Sequence, residues 1–508
     1  MMKVLNTEQI RDADAYTIQH EPVTSVDLME RASLAFVRQL ENDFTDNPLP
    51  IYIFCGNGNN GGDGLAIARL LLQQQHRVTV YIFDNKKSSE DYQKNLKRLD
   101  KKYRHCIHYI KDIDFIDTLP QDAILIDAIF GSGLNQPVQK GSLYFDVIQK
   151  LNEKRFGKVV SVDIPSGLFA DQHTDGIAIQ STKCYTFQFP KLAFLLPENG
   201  RYVPEFSILD IGLHQAYIDK VQTSFYFLEQ TDIQQVLHAR SKFSHKGIYG
   251  HALIIAGSYG KMGAALLATN ACQRSGAGLV TAHIPKCGYA IFQSAFAEAM
   301  CETDKNNLCI SSIPDTKKYN AVAIGPGLGE NPLTQKAFVS FLKRNTAPLI
   351  IDADGLNIVS KNKILLQLLP ANTILTPHPK EFERLAGKWK NDFERLQLQQ
   401  HFSKKYKVIV VLKGAHTSIS DINGDLYFNS TGNPGMATGG SGDVLTGILA
   451  GLVAQQYSPL ECALLGVYIH GLAGDCALRT QSIESIIASD IIKHLGDAFM
   501  ILHQNKNA

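Results

Sequence analysis

Short apolar runs alternate with helix-period stretches along the whole chain, and this alternation limits the possible folds more than any other feature. The runs are rich in β-branched residues and have the length of buried strands. Alternation of this kind predicts parallel sheets covered by helices on both faces. In the first half we predict strands over Ile51–Cys55, Val78–Phe83, Ala123–Ala128 and Val159–Ile164, with helices such as Leu65–Gln74 and Leu143–Leu151 between them.

The second half repeats the alternation with a different order of signals. Its predicted strands are Ala252–Ala256, Ala321–Ile324, Pro348–Ile351, Thr373–Leu375 and Val408–Leu412, with helices such as Ala264–Ser275, Leu333–Lys343 and Lys380–Ala386. The segment Ile211–Gln230 mixes a glycine, polar residues and aromatic residues between the two series. We therefore predict two α/β domains, 1–220 and 221–508, and the first has the pattern of a doubly wound sheet.

Charge and cysteine usage exclude several classes of protein. The chain carries 50 Lys and Arg against 49 Asp and Glu, so no overall field draws it to nucleic acid or to an anionic membrane. Its nine cysteines are scattered and form no Cys-x-x-Cys, which argues against disulfides and a zinc site. We find no apolar signal core and no apolar stretch approaching the ~20 residues that span a bilayer. We expect a cytoplasmic homo-oligomer with small-molecule partners.

A glycine-rich segment, Gly56–Gly64, follows the first predicted strand. Its pattern Gly56-x-Gly58-x-x-Gly61 matches a dinucleotide fingerprint and by itself would suggest a nicotinamide dehydrogenase. However, Asn59, Asn60 and Asp63 add side chains that a plain dinucleotide loop does not need. The side-chain amide oxygens of the two asparagines are suitable ligands for a hard cation. The segment contains no Gly-Lys-[Ser/Thr], so it is not a Walker-A loop.

Two further strands of the first half end in a carboxylate before a turn. Asp127 precedes a turn containing Gly131 and Gly133, and Asp163 precedes Ser166 and Gly167. Each aspartate alone could be a turn or cap residue. Because ligands bind at the carboxyl ends of parallel strands, we expect these side chains to converge with Asn60.

The segments Gly56–Gly64, Asp127–Leu134 and Val162–Gly167 together resemble the NAD(P)H-hydrate epimerase family, over about residues 1–220. The resemblance implies a Rossmann-like fold, a damaged nicotinamide cofactor as substrate and a bound potassium ion. It implies Asn60, Asp127 and Ser166 as potassium ligands. Asp163 is the candidate catalytic residue, since epimerisation requires protonation and opening of a hemiaminal. The implied substrate contacts are Asn59, Asn60, Gly61, Gly62, Asp63, Gly131, Ser132, Gly133, Leu134, Asn135, Gln136, Pro137 and Asp163.

The second half contains a denser glycine run, Gly432–Gly447, with Asp443 just before a helix pattern that begins at Val444. Glycines let backbone N–H groups approach a ligand closely, and a helix N-terminus adds partial positive charge. Together they predict an anion-binding cup. A carboxylate there would repel the anion, so we expect Asp443 to handle a proton or a metal. The alternative is a helix cap on a flexible loop.

Several other strands of this half end in glycine beside a polar residue. The motifs begin at Gly257, Gly325, Asp352, Thr376 and Lys413. Taken singly they could be tight turns, a rigid corner or a solvated charge. Loops at one edge of a parallel sheet that all carry such residues favour a shared active site. A lysine beside clustered N–H groups suits a phosphate, which indicates phosphoryl chemistry.

These motifs resemble the ribokinase-like superfamily, and within it the NAD(P)H-hydrate dehydratase family, over about residues 225–500. The resemblance is carried by His245-Lys246-Gly247-x-Tyr249-Gly250, Thr376-Pro377-His378-Pro379-x-Glu381 and Asn433-Pro434-Gly435-x-x-x-x-Gly439-Gly440-x-Gly442-Asp443. It implies a ribokinase-like α/β sandwich, ADP as co-substrate, Mg²⁺, and Asp443 as the base that activates the substrate hydroxyl. The residues leave ADP and ATP both open as the donor. The implied hydrate contacts are Ala264, Gly327, His378 and Asp443, and the implied nucleotide contacts are Lys413, Gly414, Ala415, His416, Thr417 and Gly442.

The two resemblances together predict a repair enzyme for NADH hydrate and NADPH hydrate. It would epimerise the R and S forms and dehydrate the S form, converting ADP to AMP and phosphate. The alternative is a vitamin or sugar kinase fused to a nucleotide-binding regulatory domain, which would leave a stable phosphorylated product. A ligand sensor without catalysis is a third possibility, and the intact Asn60, Asp127 and Asp163 argue against it.

Overall fold

The computed structural model describes residues 1–44, 49–84 and 87–504. The chain forms two compact units. The smaller unit contains Lys3–Thr223 with Asn391–Phe393, and the larger contains Met1–Met2, Ser224–Lys390 and Glu394–Ala508. The chain therefore passes from one unit to the other beside the segment where the sequence changes character. The last four residues of the predicted second domain, 505–508, lie outside the described residues.

The smaller unit is built on a seven-stranded parallel sheet of order β4-β3-β2-β5-β6-β7-β8. The two-residue strand β1 (Met2–Lys3) precedes it in the chain and belongs to the other sheet. The strands are β2 Ile51–Cys55, β3 Val78–Phe83, β4 Ile107–Ile110, β5 Ile124–Ala128, β6 Lys158–Val162, β7 Lys183–Phe187 and β8 Phe206–Leu209. The helices are α1 Thr7–His20, α2 Ser25–Phe44, α3 Asn59–Gln73, α4 Glu90–Tyr103, α5 Phe115–Thr118, α6 Leu143–Lys154 and α7 Gln215–Lys220.

This sheet is doubly wound, as the sequence predicts. Two apolar clusters cover its faces, one including Phe36, Leu65 and Tyr185 and the other including Phe54 and Val147. The chain runs outward through β2, β3 and β4, and then returns to add β5 beside β2. The switch point therefore lies between β2 and β5, which is where an open α/β sheet binds its ligand.

The larger unit has an eleven-stranded sheet of order β1-β9-β18-β17-β16-β15-β14-β13-β10-β11-β12. Its remaining strands are β9 Phe225–Phe227, β10 His251–Ile255, β11 Leu279–Ile284, β12 Met300–Thr303, β13 Ala321–Ile324, β14 Leu349–Ile351, β15 Ile374–Leu375, β16 Ile409–Leu412, β17 Ser418–Ser420 and β18 Leu426–Phe428. Its helices are α8 Gln230–Val236, α9 Met262–Arg274, α10 Tyr289–Ala295, α11 Pro332–Leu342, α12 Ala353–Lys361, α13 Pro379–Ala386, α14 Asp392–Tyr406, α15 Ser441–Ala454, α16 Pro459–Ala477, α17 Ala488–Lys493 and α18 Leu495–Gln504.

Strands β10 to β16 of this sheet all run parallel to their neighbours within that set, whereas β17 pairs antiparallel with both β16 and β18. The switch point lies between β10 and β13, which are neighbours although two strands separate them in sequence. Large apolar clusters cover both faces of the sheet, so the larger unit is an α/β sandwich.

Two helices begin earlier than the sequence pattern predicts, and both carry predicted site residues. Helix α3 begins at Asn59 rather than Leu65, and α15 begins at Ser441 rather than Val444. Both starts are rich in glycine, which has low helix propensity, so the pattern placed them in loops. Close packing against neighbouring backbone imposes the helix instead. Consequently Asn59–Gly64 form the first two turns of α3, and Asp443 lies in the first turn of α15.

Sequence patterns did not predict strands β7 and β11, because both contain polar residues. In the structure Thr186 and His283 are buried, and each forms a hydrogen bond to a backbone carbonyl oxygen. Thr186 donates to the carbonyl oxygen of Phe189, and His283 donates to that of Ser312. Buried polar groups of this kind are normally hydrogen-bonded, so these strands remain central despite their composition.

Helix α16 also departs from expectation. Its 19 residues are long and apolar enough to cross a membrane by length and composition, although the sequence suggested that no stretch approaches that length. Most of the helix is buried inside the larger unit, where Leu465 and Ile469 belong to the main apolar cluster. We therefore interpret α16 as a core helix. All nine cysteines are free thiols.

Candidate active sites

A cavity of about 850 Å³ opens at the carboxyl edge of the smaller sheet. Its wall combines the segments that follow β2, β5 and β6 with residues of α1 and α2. The cavity thus lies at the switch point of the sheet, where ligands bind in folds of this kind.

The glycines after β2 allow the start of α3 to pack directly against the end of β5. A Cβ on Gly56 would lie 1.9 Å from the carbonyl oxygen of Ile129, and one on Gly61 would lie 1.8 Å from that of Gly56. These positions therefore require glycine. Asn59, Asn60 and Asp63 reach the cavity wall as a result. Gly61 and Gly62 pack inward instead, so any substrate contact they make is through the backbone.

Asp127 is fully buried behind this wall at the end of β5 and accepts several hydrogen bonds. Its Oδ1 accepts from Ser166 Oγ at 2.5 Å, while its Oδ2 accepts from Ser161 Oγ at 2.9 Å and Ser166 N at 2.8 Å. Burial raises the pKa of Asp127, and the hydrogen bonds from Ser166 oppose that effect. The structure therefore brings Asp127 and Ser166 together, as the sequence predicts.

Asn60 lies in the first turn of α3 and is buried against Gly131. Its Nδ2 has no hydrogen-bond partner among the described residues. Ser166 Oγ lies 3.3 Å from the carbonyl oxygen of Phe130, the residue before Gly131. Amide, hydroxyl, carboxylate and carbonyl oxygens are thus available in one small region.

Asp163 follows β6 in the left-handed backbone region, with φ of +64°. A non-glycine residue in this conformation is strained, and such strain clusters at functional sites. Its Oδ1 accepts from Lys191 Nζ at 2.8 Å, Phe187 N at 3.1 Å and Thr186 Oγ1 at 3.3 Å. Lys191 is completely buried, and it also contacts the hydroxyl of Thr186 and two carbonyl oxygens. The ion pair fixes one carboxylate oxygen of Asp163 at the cavity wall.

Two more carboxyl groups, those of Asp14 and Asp63, line the same cavity. Burial and the charge of Asp163 raise the pKa of Asp14 to about 7. Burial, followed by the charges of Asp163 and Asp14, raises the pKa of Asp63 well above its usual value. Perturbed carboxyl groups that share a cleft indicate a functional site.

The structure places the predicted contacts of this site unevenly. Of the segment predicted after β5, Gly131–Leu134 line the cavity, whereas Asn135, Gln136 and Pro137 do not and are exposed. Sequence reasoning also missed Asp14 and Lys191. No local signal marks them, although the strand β7 that precedes Lys191 would have placed the lysine at the same sheet edge.

In the larger unit, the segments after β10 and β13 meet at the switch point. Gly257 N donates to the carbonyl oxygen of Pro326 at 2.8 Å, and Ser258 Oγ donates to that of Gly327 at 2.8 Å. A Cβ on Gly327 would lie 3.0 Å from the Cβ of Ala264. Two predicted hydrate contacts, Ala264 and Gly327, are therefore neighbours.

Asp443 lies in the first turn of α15, next to Gly442 and after the N-cap Gly440, whose φ is +90°. The first N–H groups of a helix have no acceptor within it and carry partial positive charge, which suits an anion. Burial, followed by the charge of Asp352, raises the pKa of Asp443 to about 6, although Lys413 opposes the shift. The carboxyl group can therefore gain and lose a proton near neutral pH.

Behind this turn, Asp352 holds Lys413. Asp352 is 2% exposed, and its Oδ1 accepts from Lys413 Nζ at 3.0 Å while its Oδ2 accepts from Thr446 Oγ1 at 2.7 Å. A Cβ on Gly442 would lie 3.4 Å from Lys413 Nζ, so the ammonium lies directly beside the helix start. This arrangement places one cation and the free N–H groups of α15 together.

His378 is the N-cap of α13, and its Nδ1 accepts from the N–H groups of Lys380 and Glu381. Burial lowers the pKa of His378, with Lys413 contributing in the same direction and Glu381 against it. His378, which the sequence predicts to contact the hydrate, therefore also caps α13.

The segment Lys413–Thr417 leaves β16 as a closed turn. Gly414 N donates to Thr417 Oγ1, which donates to the carbonyl oxygen of Gly414. Gly414 and Ala415 are exposed, and His416 Nδ1 lies 3.1 Å from the carbonyl oxygen of Asn429. The exposed backbone of this turn is accessible to a nucleotide.

Part of the glycine run before Asp443 is structural. Asp475 accepts from Gly432 N at 2.9 Å and from Asn433 Nδ2 at 3.0 Å. His470 donates to the carbonyl oxygen of Ser441 at 3.0 Å, and burial lowers its pKa to about 4, so the ring is neutral. These anchors fix the position from which α15 starts.

Comparison with known proteins finds relatives for both halves of the chain. A family model described as NAD(P)H-hydrate dehydratase matches residues 252–496, and one described as YjeF-related protein N-terminus matches residues 25–193. The bifunctional NAD(P)H-hydrate repair enzyme Nnr of Moorella thermoacetica is 34% identical, covering 97% of this chain and 96% of its own length. The enzyme of that name from Coxiella burnetii is 32% identical, covering 97% and 99%.

The chain belongs to the bifunctional NAD(P)H-hydrate repair enzyme family. The solved structure of a ribokinase-like superfamily protein from Enterococcus faecalis supports the fold of the larger unit. It is 28% identical, covers 56% of this chain and 98% of its own, and has a TM-score of 0.50. The family assignment sets aside the dehydrogenase suggested by Gly56–Gly61 alone. All of the predicted site residues fall within the two family matches, whereas Asp14 lies before the first of them.

Proposed function

We propose that this protein repairs hydrated NADH and NADPH with two separate active sites. The domain 1–220 interconverts the R and S epimers of the hydrate, and the domain 221–508 dehydrates the S epimer while converting ADP to AMP and phosphate. The observation that carries this proposal is that each unit places a partly buried carboxyl group, Asp163 or Asp443, at the switch point of its sheet beside a lysine. Similarity over the full length of bifunctional relatives supports it.

In the dehydratase site, Asp443 takes the proton of the substrate hydroxyl, whose oxygen attacks the terminal phosphorus of ADP. AMP leaves, and the substrate now carries a phosphate ester. The carbon–oxygen bond of this ester then breaks, phosphate leaves with the electron pair, and loss of a proton from the adjacent carbon restores the double bond. Lys413 and the N–H groups at the start of α15 stabilise the charge of the transferred group. Ala264, Gly327 and His378 contact the hydrate, and Lys413–Thr417 with Gly442 contact the nucleotide.

We propose that Mg²⁺ reaches this site with the phosphates of the nucleotide. In the part of the chain that the structure describes, no group of three or more His, Cys, Asp or Glu side chains is arranged to hold a metal. Mg²⁺ commonly binds through substrate phosphates and only one or two carboxylates, so this composition fits. When bound, the ion neutralises phosphate charge.

In the epimerase site we propose that Asn60, Asp127 and Ser166 hold a potassium ion. Asp127 and Ser166 lie in contact, and Asn60 packs against the adjacent Gly131. The unpartnered Nδ2 of Asn60 supports the proposal, because exchanging the amide oxygen and nitrogen would put an unpartnered acceptor oxygen at this buried position. The ion would order the wall around Gly131–Leu134, which we propose contacts the substrate together with Asn59–Asp63, Asn135–Pro137 and Asp163.

The decisive experiment supplies separate R and S hydrate epimers with ADP, with ATP or with neither, and follows reduced cofactor, phosphate and AMP. We expect the wild type to recover both epimers, Asp163→Asn to recover only the S epimer, and Asp443→Ala to recover neither. Undiminished dehydration by Asp443→Ala would refute its role as base. A stable phosphorylated product would instead favour the small-molecule kinase.

We also propose a cytoplasmic homo-oligomer. The nine free thiols agree with a reducing compartment. Light scattering on the purified chain tests the oligomeric state.

A further inference from the structure

The epimerase cavity contains more carboxyl groups than the single base the reaction was expected to use. Asp14, Asp63 and Asp163 all line it, and Lys191 is the buried ammonium that pairs with Asp163. Burial and the charge of Asp163 raise the pKa of both Asp14 and Asp63. The protonated forms of these two carboxyl groups are therefore favoured.

Asp163 is the carboxyl group that forms an ion pair with Lys191. Three donors converge on its Oδ1, including the ammonium of Lys191. Among the residues that the structure describes, none donates a hydrogen bond to its Oδ2. This second oxygen is available to accept a proton from a ligand, since the side chain remains 14% exposed at the cavity wall.

Asp14 has the opposite environment. It projects from α1 into the cavity, and no described residue forms a hydrogen bond or ion pair with its carboxyl group. Asp14 is half-buried and lines the cavity, so its carboxyl group is accessible to a ligand there. Burial and the charge of Asp163 favour its protonated form, while Lys191 opposes this effect. The other charged groups of the cavity wall are Arg11 on the same helix, Asp63 on α3 and Lys87 after β3.

We propose that Asp14 is a second catalytic residue of the epimerase site, acting as general acid in the same cavity as Asp163, the general base. This inference rests on the epimerase function proposed above. It adds a residue of the N-terminal helix that lies outside the segment matched by the family model.

The two carboxyl groups complete a closed proton cycle. Asp163 removes the proton of the hydroxyl on the hemiaminal carbon, the carbon–nitrogen bond breaks with its electron pair going to nitrogen, and Asp14 protonates that nitrogen. The product is an open-chain aldehyde. Rotation presents its other face to the nitrogen, which attacks the carbonyl carbon, returns its proton to Asp14, and leaves an oxygen that recovers a proton from Asp163. No bond is oxidised or reduced, and both residues return to their starting states.

The test compares Asp14→Asn with Asp14→Glu and with Asp12→Asn, which changes an exposed aspartate on the same helix. The full-length protein is given the R epimer with excess ADP, so that recovery of reduced cofactor depends on epimerisation. The S epimer reports the dehydratase site of the same molecules, and a no-enzyme reaction gives the spontaneous epimerisation rate.

We expect Asp14→Asn to slow enzymatic recovery of the R epimer by at least about 100-fold, as for loss of a general acid. We expect recovery of the S epimer to be unchanged, Asp14→Glu to restore part of the rate, and Asp12→Asn to behave as wild type. The wild-type epimerisation rate should fall as pH rises above about 7, where Asp14 loses its proton. That decline should be absent from the residual rate of Asp14→Asn.

Three results would overturn the proposal. The first is an Asp14→Asn protein that epimerises at the normal rate, and the second is one that keeps the wild-type pH profile. The third is a parallel loss of S-epimer recovery and thermal stability, which would show that Asp14 is structural. If the wild type itself does not exceed the spontaneous rate, the epimerase function fails and the role of Asp14 fails with it, whereas a working wild type isolates the question of Asp14.

Discussion

At the scale of single residues, the same kind of side chain is given opposite properties by its surroundings. Asp352 and Asp443 lie at the same edge of the larger sheet. Asp352 accepts hydrogen bonds from Lys413 and Thr446. The pKa of Asp443 is instead raised by burial and by the charge of Asp352. One aspartate therefore positions a lysine, and the other is prepared to exchange a proton.

Because the pKa of Asp443 is raised to about 6, the dehydratase rate should depend on pH in that range. A base must be ionised, so we expect kcat/KM for the S epimer to fall about tenfold per unit as pH decreases below about 6. Measurements of initial rates from pH 5 to 8 at saturating ADP would check this. A flat profile across that range would contradict the assignment of Asp443 as base.

The pH dependence of thermal stability tests the raised pKa of Asp443 independently. Below its usual pKa of 3.8, Asp443 is protonated in both folded and unfolded chains. Between that value and about 6 only the unfolded chain ionises, so the folded state loses stability across this range and gains none of it back at higher pH. Asp443→Asn should therefore melt at the same temperature as wild type near pH 4 and at a higher temperature near pH 8. Thermal unfolding at both pH values measures the difference, and a difference independent of pH would exclude this explanation.

Asp352→Asn should impair dehydration without removing the base. Loss of its charge leaves Lys413 without its partner, and breaking a buried ion pair lowers the free energy of unfolding by about 3–5 kcal/mol. We expect a large fall in kcat and an acidic limb of the pH profile shifted to lower pH, because Asp352 helps to raise the pKa of Asp443. The matched variant Thr446→Val removes only a hydroxyl donor, and it should lower the free energy of unfolding by about 1–2 kcal/mol.

At the scale of secondary structure elements, both sites depend on helices that begin where glycines permit close approach. In α3, Gly61 packs on the backbone of Gly56. In α15, a Cβ on Gly447 would lie 2.1 Å from the carbonyl oxygen of Ala268 on α9. Glycine in these helices lowers intrinsic helix propensity, and the gain is a helix N-terminus positioned beside the ligand.

Gly61→Ala should therefore destabilise the smaller unit. The new methyl group would meet the Gly56 carbonyl oxygen at 1.8 Å, which forces the backbone to shift. We expect a loss of about 3 kcal/mol or more, at the upper end of overpacking effects. Gly58→Ala is the control, since its Cβ meets no heavy atom within 4 Å and its φ of −90° suits any residue. Equal unfolding midpoints for the two variants would contradict this explanation.

At the scale of the whole molecule, each unit has its own sheet, core and site, and the product of the first reaction is the substrate of the second. We expect the intermediate to diffuse freely. A mixture of full-length Asp163→Asn and Asp443→Ala proteins should therefore recover the R epimer at a rate set by the two active sites present. Alone, the Asp163→Asn protein should recover the R epimer only at the spontaneous epimerisation rate, and the Asp443→Ala protein should not recover it. Failure of the mixture, with each variant retaining its other activity, would indicate transfer within one molecule.

Much of the fold follows from local patterns. Runs such as Ile51–Cys55 and Ala321–Ile324 are apolar because both faces of a parallel strand are buried, so the sequence marks them directly. The polar residues that end those strands mark the sheet edge. Strands with internal hydrogen bonds, such as β11, and glycine-rich helix starts were missed because tertiary packing overrides local propensity there.

Short contiguous patterns in the sequence were enough to predict the two α/β domains, the glycine-rich segments and the catalytic carboxyl groups of Asp163 and Asp443. The distant groups that surround these carboxyl groups became apparent only in the folded chain. Lys191 lies 28 residues from Asp163, and Lys413 lies 61 residues from Asp352. Asp14 enters the first site from the N-terminal helix. Burial and neighbouring charge set the protonation of a carboxyl group, and both depend on residues that meet only when the chain is folded.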